Sequence, residues 1–370
     1  VALEGAKYYE TEVTDGFLLQ RAFLERVILL NKTLGKQGKV SKYNMEIGRS
    51  YEIEAEWKLK HYPLGHSVAA SIYEDAARKY ADLGISGKVA EMKKKIQEHY
   101  RIAAEKEMRV IVSKVSVPSK PIEAFMDKFS SLSLSNALRT IAEDKSLLPD
   151  VSLIRKVTEQ QKKLAPVSFM IPRVSIRNEN PALTSRDESE IFEHHLVENI
   201  GKIYRIISDK IGLALRKLVK ERELNANSFT AFLEKSKTYE REKLEIIKIG
   251  MERYFAGDYV SAIHVLVPQL EATLRKVLER LGEPTISMRQ GAIREKPLDE
   301  VLRSPKMESF LGLDLSYYLK VFLVDKRGDN LRHDIAHGLI NKQRCNENIA
   351  NIVLHQLLIL SQLVFPDSTI

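Results

Sequence analysis

The sequence predicts an all-α protein, and three observations predict it. Apolar residues recur at intervals of three and four along much of the 370 residues, short glycine-containing breaks separate the runs from Phe17 to about Tyr100, and only one short stretch has the composition of a strand. At 44% hydrophobic residues the chain has enough apolar material for two or three packed units.

The periodic pattern begins at Phe17 and runs to about Tyr100, with Phe17, Leu18, Ala22, Leu24, Val27 and Ile28 marking the first helix. Ser67 to Leu83 and Lys88 to about Met108, joined by Gly84-Ile85-Ser86-Gly87, predict an αα-hairpin that packs through Ala69, Ala70, Tyr73, Ala76, Ala77 and Tyr80. The pair resembles one tetratricopeptide-type repeat, but no 34-residue period returns. Residues 1–115 are therefore expected to form an N-terminal helical scaffold, with Lys93-Lys94-Lys95 on a solvated face.

Six of the twelve prolines lie between Pro118 and Pro181, and no glycine occurs from Lys88 through Ile200. An ordered connector with short helices is expected over 116–187, with one strand of a small hairpin at Ser168–Ile176. The amphipathic pattern returns from Glu188 to Leu224, and residues 188–239 read as bridging helices. The adjacent His194 and His195 cannot share one helical face and read as structural, and His264 reads as a buried core histidine. Tyr317 and Tyr318 read as core rather than base-stacking residues. A last helix, Arg344 to Val364, should pack through Ile349, Ile352, Val353, Leu357, Leu360 and Val364.

Charge and cysteine usage narrow the chemistry. Lys and Arg number 58 against 50 Asp and Glu, a net charge of +8 that favours polyanionic partners, although it is spread along the chain. Cys345 is the sole cysteine, which excludes an internal disulfide framework and a cysteine-rich zinc site, and a reducing cytoplasm is expected. No apolar run approaches the roughly 20 residues that span a bilayer, so no membrane partner is expected. The chain opens on Val1 rather than Met, as a segment of a longer protein would.

Arg332-His333-Asp334-Ile335-Ala336-His337-Gly338 is the stretch that concentrates chemistry. Gly328-Asp329-Asn330 ahead of it is a turn with an N-cap, Leu331, Ile335 and Leu339 follow at spacings of four, and Gly338 is a stop. A helix start favours phosphate, Arg332 adds a guanidinium fork, and His337 can exchange protons near neutrality. On an ideal helix Arg332 and His337 stand about 140° and about 7.5 Å apart, so one copy of the motif is incomplete unless a kink or a second chain brings the groups together.

The Arg-x4-His pattern, with a polar residue directly after the Arg, resembles the signature of the HEPN superfamily of α-helical domains. Asn330 to Gly338 is also similar to the Arg-Asn-x-x-x-His-Gly motif of the HEPN-related DUF4209 family, with His333 where that motif usually has Asn. The resemblance covers roughly residues 240 to 364 of a domain drawn at 240–370, and Ala262 to Arg275 looks like the long second helix of the superfamily. Glu271 and Arg275 form an i,i+4 pair that the resemblance places facing the motif. Arg327 and His333 form a competing register, which Gly328, Asp329 and Asn330 would interrupt; Lys326 and Arg327 are instead expected to be accessory phosphate contacts.

His333 and His337 also stand at i,i+4, like the zinc pair of His-Glu-x-x-His. Asp334 is too short to replace that motif's glutamate, and His355 or Glu347 as a third ligand has no distinctive spacing, so neither metal nor cofactor is expected. What the resemblance implies is a metal-independent endoribonuclease, acting as a toxin, in defence against phage or in RNA processing. His337 would remove the 2′-OH proton, Arg332 with the helix terminus would stabilise the developing charge, and His333 and Asp334 would position substrate or water. A 2′,3′-cyclic phosphate and a 5′-hydroxyl would result. RNA, a homodimer partner through the C-terminal domain and a neutralising or activating protein are the implied partners. The alternative is a noncatalytic HEPN-like dimerisation or RNA-binding module.

Overall fold

The computed structural model describes residues 1–11, 16–107, 119–129, 131–177, 180–289 and 292–365. They form sixteen α-helices and two small hairpins, an all-α fold divided into two compact units, Val1–Lys114 with Val174–Thr184 and Val115–Arg173 with Ser185–Ile370.

In the first unit α1 (Ala2–Thr11), α2 (Phe17–Thr33), α3 (Gln37–His61), α4 (Gly65–Asp82) and α5 (Ser86–Lys106) follow one another, each of the first four packing on the next. The expected αα-hairpin is α4–α5: Ala69, Ala70, Tyr73, Ala76 and Tyr80 are buried against Ala55, Met92, Ile96 and Tyr100, and Ala77 is partly buried beside them. The alanines allow close approach of the helix axes, and the tyrosines fill the remaining space. Glu107, at the end of α5, accepts the backbone N–H groups of His66 and Ser67 at 2.8 and 2.9 Å and so caps the start of α4. A hairpin of β1 (Arg173–Arg177) and β2 (Asn180–Ser185) lays Val174 and Ile176 on this core. The strand expected from Ser168 begins only at Arg173. Pro166 opens a 3-10 turn over Pro166–Phe169 that buries Phe169, and Pro172 has no N–H to give to a ladder.

In the second unit the Pro-containing stretch supplies α6 (Ser119–Asp127), α7 (Leu134–Glu143) and α8 (Val151–Leu164), followed by the 35-residue α9 (Glu188–Arg222). Ser133, Asp150 and Asp187 cap α7, α8 and α9 by accepting backbone N–H groups. Next come α10 (Ala226–Glu234), α11 (Arg241–Phe255), α12 (Tyr259–Arg280), a hairpin of β3 (Ile286–Arg289) and β4 (Ala292–Glu295), α13 (Leu298–Leu302), α14 (Pro305–Leu323), α15 (Leu331–Ala336) and α16 (Glu347–Ser361). One core holds Leu138 and Ile141 of α7, Ile200, Ile207 and Leu215 of α9, and residues of α11, α12, α14 and α16. Burial therefore runs across the boundaries drawn at residues 188 and 240.

The centre of that core is α16, in which every residue from Ala350 to Ser361 is buried. The single apolar side read from Ile349, Ile352 and Val353 was too narrow a picture, because Asn351, His355 and Gln356 are inside as well. Asn346 caps the helix through Ile349 N–H, which sets its start at Glu347 rather than Arg344, and it ends at Ser361. Tyr254 donates to Asn351 Oδ1 at 2.6 Å, and Asn351 Nδ2 donates to the Ser208 carbonyl at 3.3 Å. His355 lies between Tyr318 Oη, 2.9 Å from Nδ1, and the Ile141 carbonyl, 3.1 Å from Nε2. A carbonyl only accepts, so Nε2 carries the hydrogen and Nδ1 accepts from the tyrosine. Gly212 of α9 faces this network, and a Cβ there would stand 2.6 Å from Asn351 Nδ2, which leaves glycine as the residue that fits.

The two expected structural histidines of α9 are in place. His194 is buried against Ser185, and His195 stacks on Phe169 with ring centroids 3.8 Å apart. His264 differs from expectation: it is exposed on α12, bonded to the Val260 carbonyl.

Burial pushes the His355 imidazole down to about 4. Burial, followed by the nearby Arg173 cation, does the same to His194. The unfolded chain binds these protons near pH 6.5 and the folded chain does not, so stability should fall as pH drops from about 6.5 to about 4 and then level for these groups. For His355 alone the loss is about 3 kcal/mol at the lower end. Urea unfolding at a series of pH values checks this, and equal stability at pH 7 and pH 4.5 would reject a neutral buried His355.

Candidate functional site

The motif sits where the chain leaves α14, makes the short α15 and returns to α16. Asp329 N–H donates to the Val321 carbonyl at 2.9 Å, which folds the loop back on the last turns of α14. Gly328 makes this possible, since a Cβ there would lie 2.3 Å from the same carbonyl oxygen. Asn330 is buried with φ 49°, a left-handed conformation that asparagine tolerates better than most residues. It makes no side-chain cap, contrary to expectation; its backbone carbonyl accepts Asp334 N–H at 3.1 Å instead. Six residues then form α15, with His337 as C-cap and Gly338 left-handed at φ 65°. So short a helix has little of the dipole expected to hold phosphate.

Arg332 turns toward α12. Its Nε and Nη2 donate to the two carboxylate oxygens of Glu271 at 2.5 and 3.0 Å, a bidentate pair in which Glu271 is 14% and Arg332 29% exposed. Glu271 also accepts Arg275 Nη2 at 2.7 Å, and Arg275 Nη1 reaches Glu295 of β4 at 3.3 Å. The charges thus alternate in a row from hairpin to motif, and the Glu271–Arg275 pair does face Arg332. Burial alone would push the Glu271 carboxyl up, but the hydrogen bonds from Arg332 and Arg275 outweigh it and hold the group below its ordinary value.

His333 and His337 come together one turn apart, with ring centroids 4.3 Å apart and planes tilted by 47°. His337 is exposed and His333 half-buried. Burial first, then the neighbouring His337 and the cations Lys326 and Arg332, lower the proton affinity of His333 against the opposing pull of Asp334. This imidazole is neutral at pH 7.

Two expected substrate contacts are placed otherwise. Asp334 is fully buried and ion-paired with Arg344 Nη1, so it anchors the helix rather than facing substrate. Arg327 is taken up by Asp325, whose oxygens accept Nε at 2.9 Å, Nη2 at 2.8 Å and the Arg327 N–H at 2.9 Å. Only Lys326 remains an exposed loop cation. Tyr318 is core, and Tyr317 Oη joins Arg155 and Glu193. The third metal ligands weighed from sequence are engaged elsewhere, His355 in its buried network and Glu347 with Arg216. Among the described residues no three His, Cys, Asp or Glu side chains are grouped as metal ligands would be.

Arg344, which sequence reading passed over, holds the entry and the middle of the motif: Nη1 on Asp334 and Nη2 on the Asp329 carbonyl at 2.7 Å. No helical periodicity links positions 334 and 344, so only the fold reveals the pair.

Removing the carboxylate with Glu271→Ala takes from Arg332 its bidentate partner, leaves Arg275 with Glu295, and should cost about 2 kcal/mol of stability, less than a fully buried pair would because solvent reaches the site. Denaturant unfolding beside Glu295→Ala checks this, and equal effects of the two would deny Glu271 its central place. The Glu271 contribution should be present above about pH 4.5 and disappear as pH falls below it.

Compared with known proteins, the chain matches no family model, no curated protein and no solved structure.

Proposed function

We propose that the second unit is a metal-independent endoribonuclease in which His337 is the proton-transfer group and His333 stands beside it. The observation that carries this reading is the contact of the two imidazoles on the solvent side of α15, one exposed and one kept neutral, beside the cations Lys326 and Arg332. The HEPN-like spacing of Arg332 and His337 supports it independently.

The chemistry requires a base for the 2′-hydroxyl of RNA. His337 takes that proton, the 2′-oxygen forms its bond to phosphorus, and the bond to the 5′-oxygen breaks. A proton delivered to that oxygen completes the step, leaving a 2′,3′-cyclic phosphate and a 5′-hydroxyl. Lys326 meets a phosphate, and Arg332, anchored on Glu271, keeps Nη1 outside that pair.

In-line displacement places the entering and leaving oxygens on opposite sides of phosphorus. Two rings 4.3 Å apart stand on one side only. The second side is therefore assigned to a second copy of the chain, whose His337 protonates the leaving oxygen in a two-fold dimer.

Purified protein incubated with total RNA in excess EDTA should yield cyclic-phosphate ends, and His337→Ala should abolish them while leaving the thermal midpoint unchanged. Strict dependence on added Mg2+ or Zn2+ would reject the mechanism. In freely exchanging mixtures of wild type and His337→Ala, activity should follow the square of the wild-type fraction, and a linear dependence would reject the shared site.

The bidentate Arg332–Glu271 pair favours a second reading, a noncatalytic HEPN-like dimerisation or RNA-binding module in which Arg332 is a helix anchor. It forecasts salt-dependent RNA binding without products, unchanged by His337→Ala.

A further inference from the structure

We infer that Arg344 is a positioning residue for the His333–His337 pair, acting through Asp334 and the Asp329 carbonyl. The inference rests on the proposed reading of the site, although the geometry it concerns can be measured without RNA.

The six residues of α15 are too few to hold a helix by backbone hydrogen bonding alone. No side chain caps the start, and the end unwinds at Gly338. Its orientation must be imposed from outside. Leu331 is fully buried and fixes the first residue, and the Arg332–Glu271 pair fixes the next. Both lie ahead of the histidines. Beyond them Asp334 is fully buried, and the Arg344 guanidinium meets its carboxylate.

The second contact of Arg344 makes it a clamp. Nη2 donates to the Asp329 carbonyl at 2.7 Å, while Asp329 N–H is held by Val321 of α14. One planar fork therefore fixes the entry to α15 and its middle at a set separation, a constraint that a single ammonium cannot reproduce. Arg344 is itself delivered from a rigid place. Asn341 Oδ1 accepts Arg344 N–H at 3.0 Å, and α16 begins three residues later under the Asn346 cap. The chain thus runs from His337 through the Gly338 turn, where Leu339 N–H returns to the Asp334 carbonyl at 2.7 Å, and comes back to clamp the helix it has just left.

Without the guanidinium, Asp334 would be a carboxylate buried without this cation. The local remedy is to tilt α15 until water reaches it. The ring contact one position before and three positions after Asp334 would then be lost, while Leu331 and Glu271 still hold the start of the helix. A displacement of about 1 Å at a proton-transfer group can cost about 100-fold in rate, so the expected effect is on kcat rather than KM.

The test compares wild type, Arg344→Ala and Arg344→Lys by NMR of the histidine rings and by RNA cleavage. In Arg344→Ala the nuclear Overhauser contact between the His333 and His337 rings should vanish, the His333 titration should rise toward that of a solvated imidazole, and kcat should drop about 100-fold at unchanged KM. Millimolar guanidinium should restore both ring contact and kcat, which it would not do for general unfolding. Arg344→Lys should lie between, and it carries the test if the alanine variant does not fold. Unchanged ring contact and titration in a folded variant would overturn the inference. A wild-type chain that cleaves no RNA would overturn the nuclease reading instead, and the ring contact would still decide the role of Arg344.

Discussion

The second unit depends on one constraint: α16 is buried from Ala350 to Ser361, so Asn351 and His355 can be satisfied only by partners within the protein, while the Gln356 side chain has none among the described residues. Asn351 finds Tyr254 and the Ser208 carbonyl, and His355 finds Tyr318 and the Ile141 carbonyl. Those partners lie on α11, α9, α14 and α7, which between them come from both sides of the sequence boundaries at 188 and 240. An apolar helix could rotate or slide among apolar neighbours at little cost, whereas each of these hydrogen bonds is directional and costs about 1–3 kcal/mol when broken in the interior. The network therefore fixes register as well as contact. The end of α14 and the start of α16 become fixed points, and the loop carrying the motif is strung between them.

From those fixed points the site is held mainly by charge. Leu331 is the apolar anchor of α15; the others are Arg332 on Glu271 and Arg344 on Asp334. This arrangement separates two demands that the sequence reading had placed on the same residues. A guanidinium locked in a bidentate pair orients a helix well but has less left for a phosphate. Of the cations near the motif, Arg327, Arg332 and Arg344 are engaged with carboxylates, and Lys326 is the one exposed on the loop. The basic motif is thus largely internal scaffolding, and its solvent side consists chiefly of two imidazoles.

The limits of legibility follow from the same physics. Periodicity located α4 and α9 because each has an apolar stripe whose spacing survives in one dimension, and the resemblance located α12. Periodicity found the apolar positions of α16 but not the buried polar ones, because the partner of Asn351, Tyr254, stands more than 90 residues away. It placed a strand at Ser168, where composition was right but Pro172 and the burial of Phe169 delay extended pairing to Arg173. Within the motif, residue type and spacing identified Arg332, His333 and His337, and the resemblance added Glu271. Asp334 and Arg327 were given to the substrate because a charge in a sequence carries no record of its counter-ion. Asp325 stands only two positions from Arg327, yet the pair depends on a loop conformation that no spacing rule encodes.

The electrostatics of His333 join these threads. Burial, the neighbouring His337 and the cations Lys326 and Arg332 lower its proton affinity. On the proposed reading those same cations attract a phosphate, and a phosphate beside them reverses the field that His333 feels. Binding would then raise the proton affinity of His333, the ring 4.3 Å from the one that takes the 2′-OH proton. The opposite field change cannot come from within the chain, because the carboxylates of Glu271, Asp325 and Asp334 already face the arginines that hold the motif in place. On the proposed reading substrate charge is what this site responds to, and the arginine–carboxylate pairs hold its helix in place as it does.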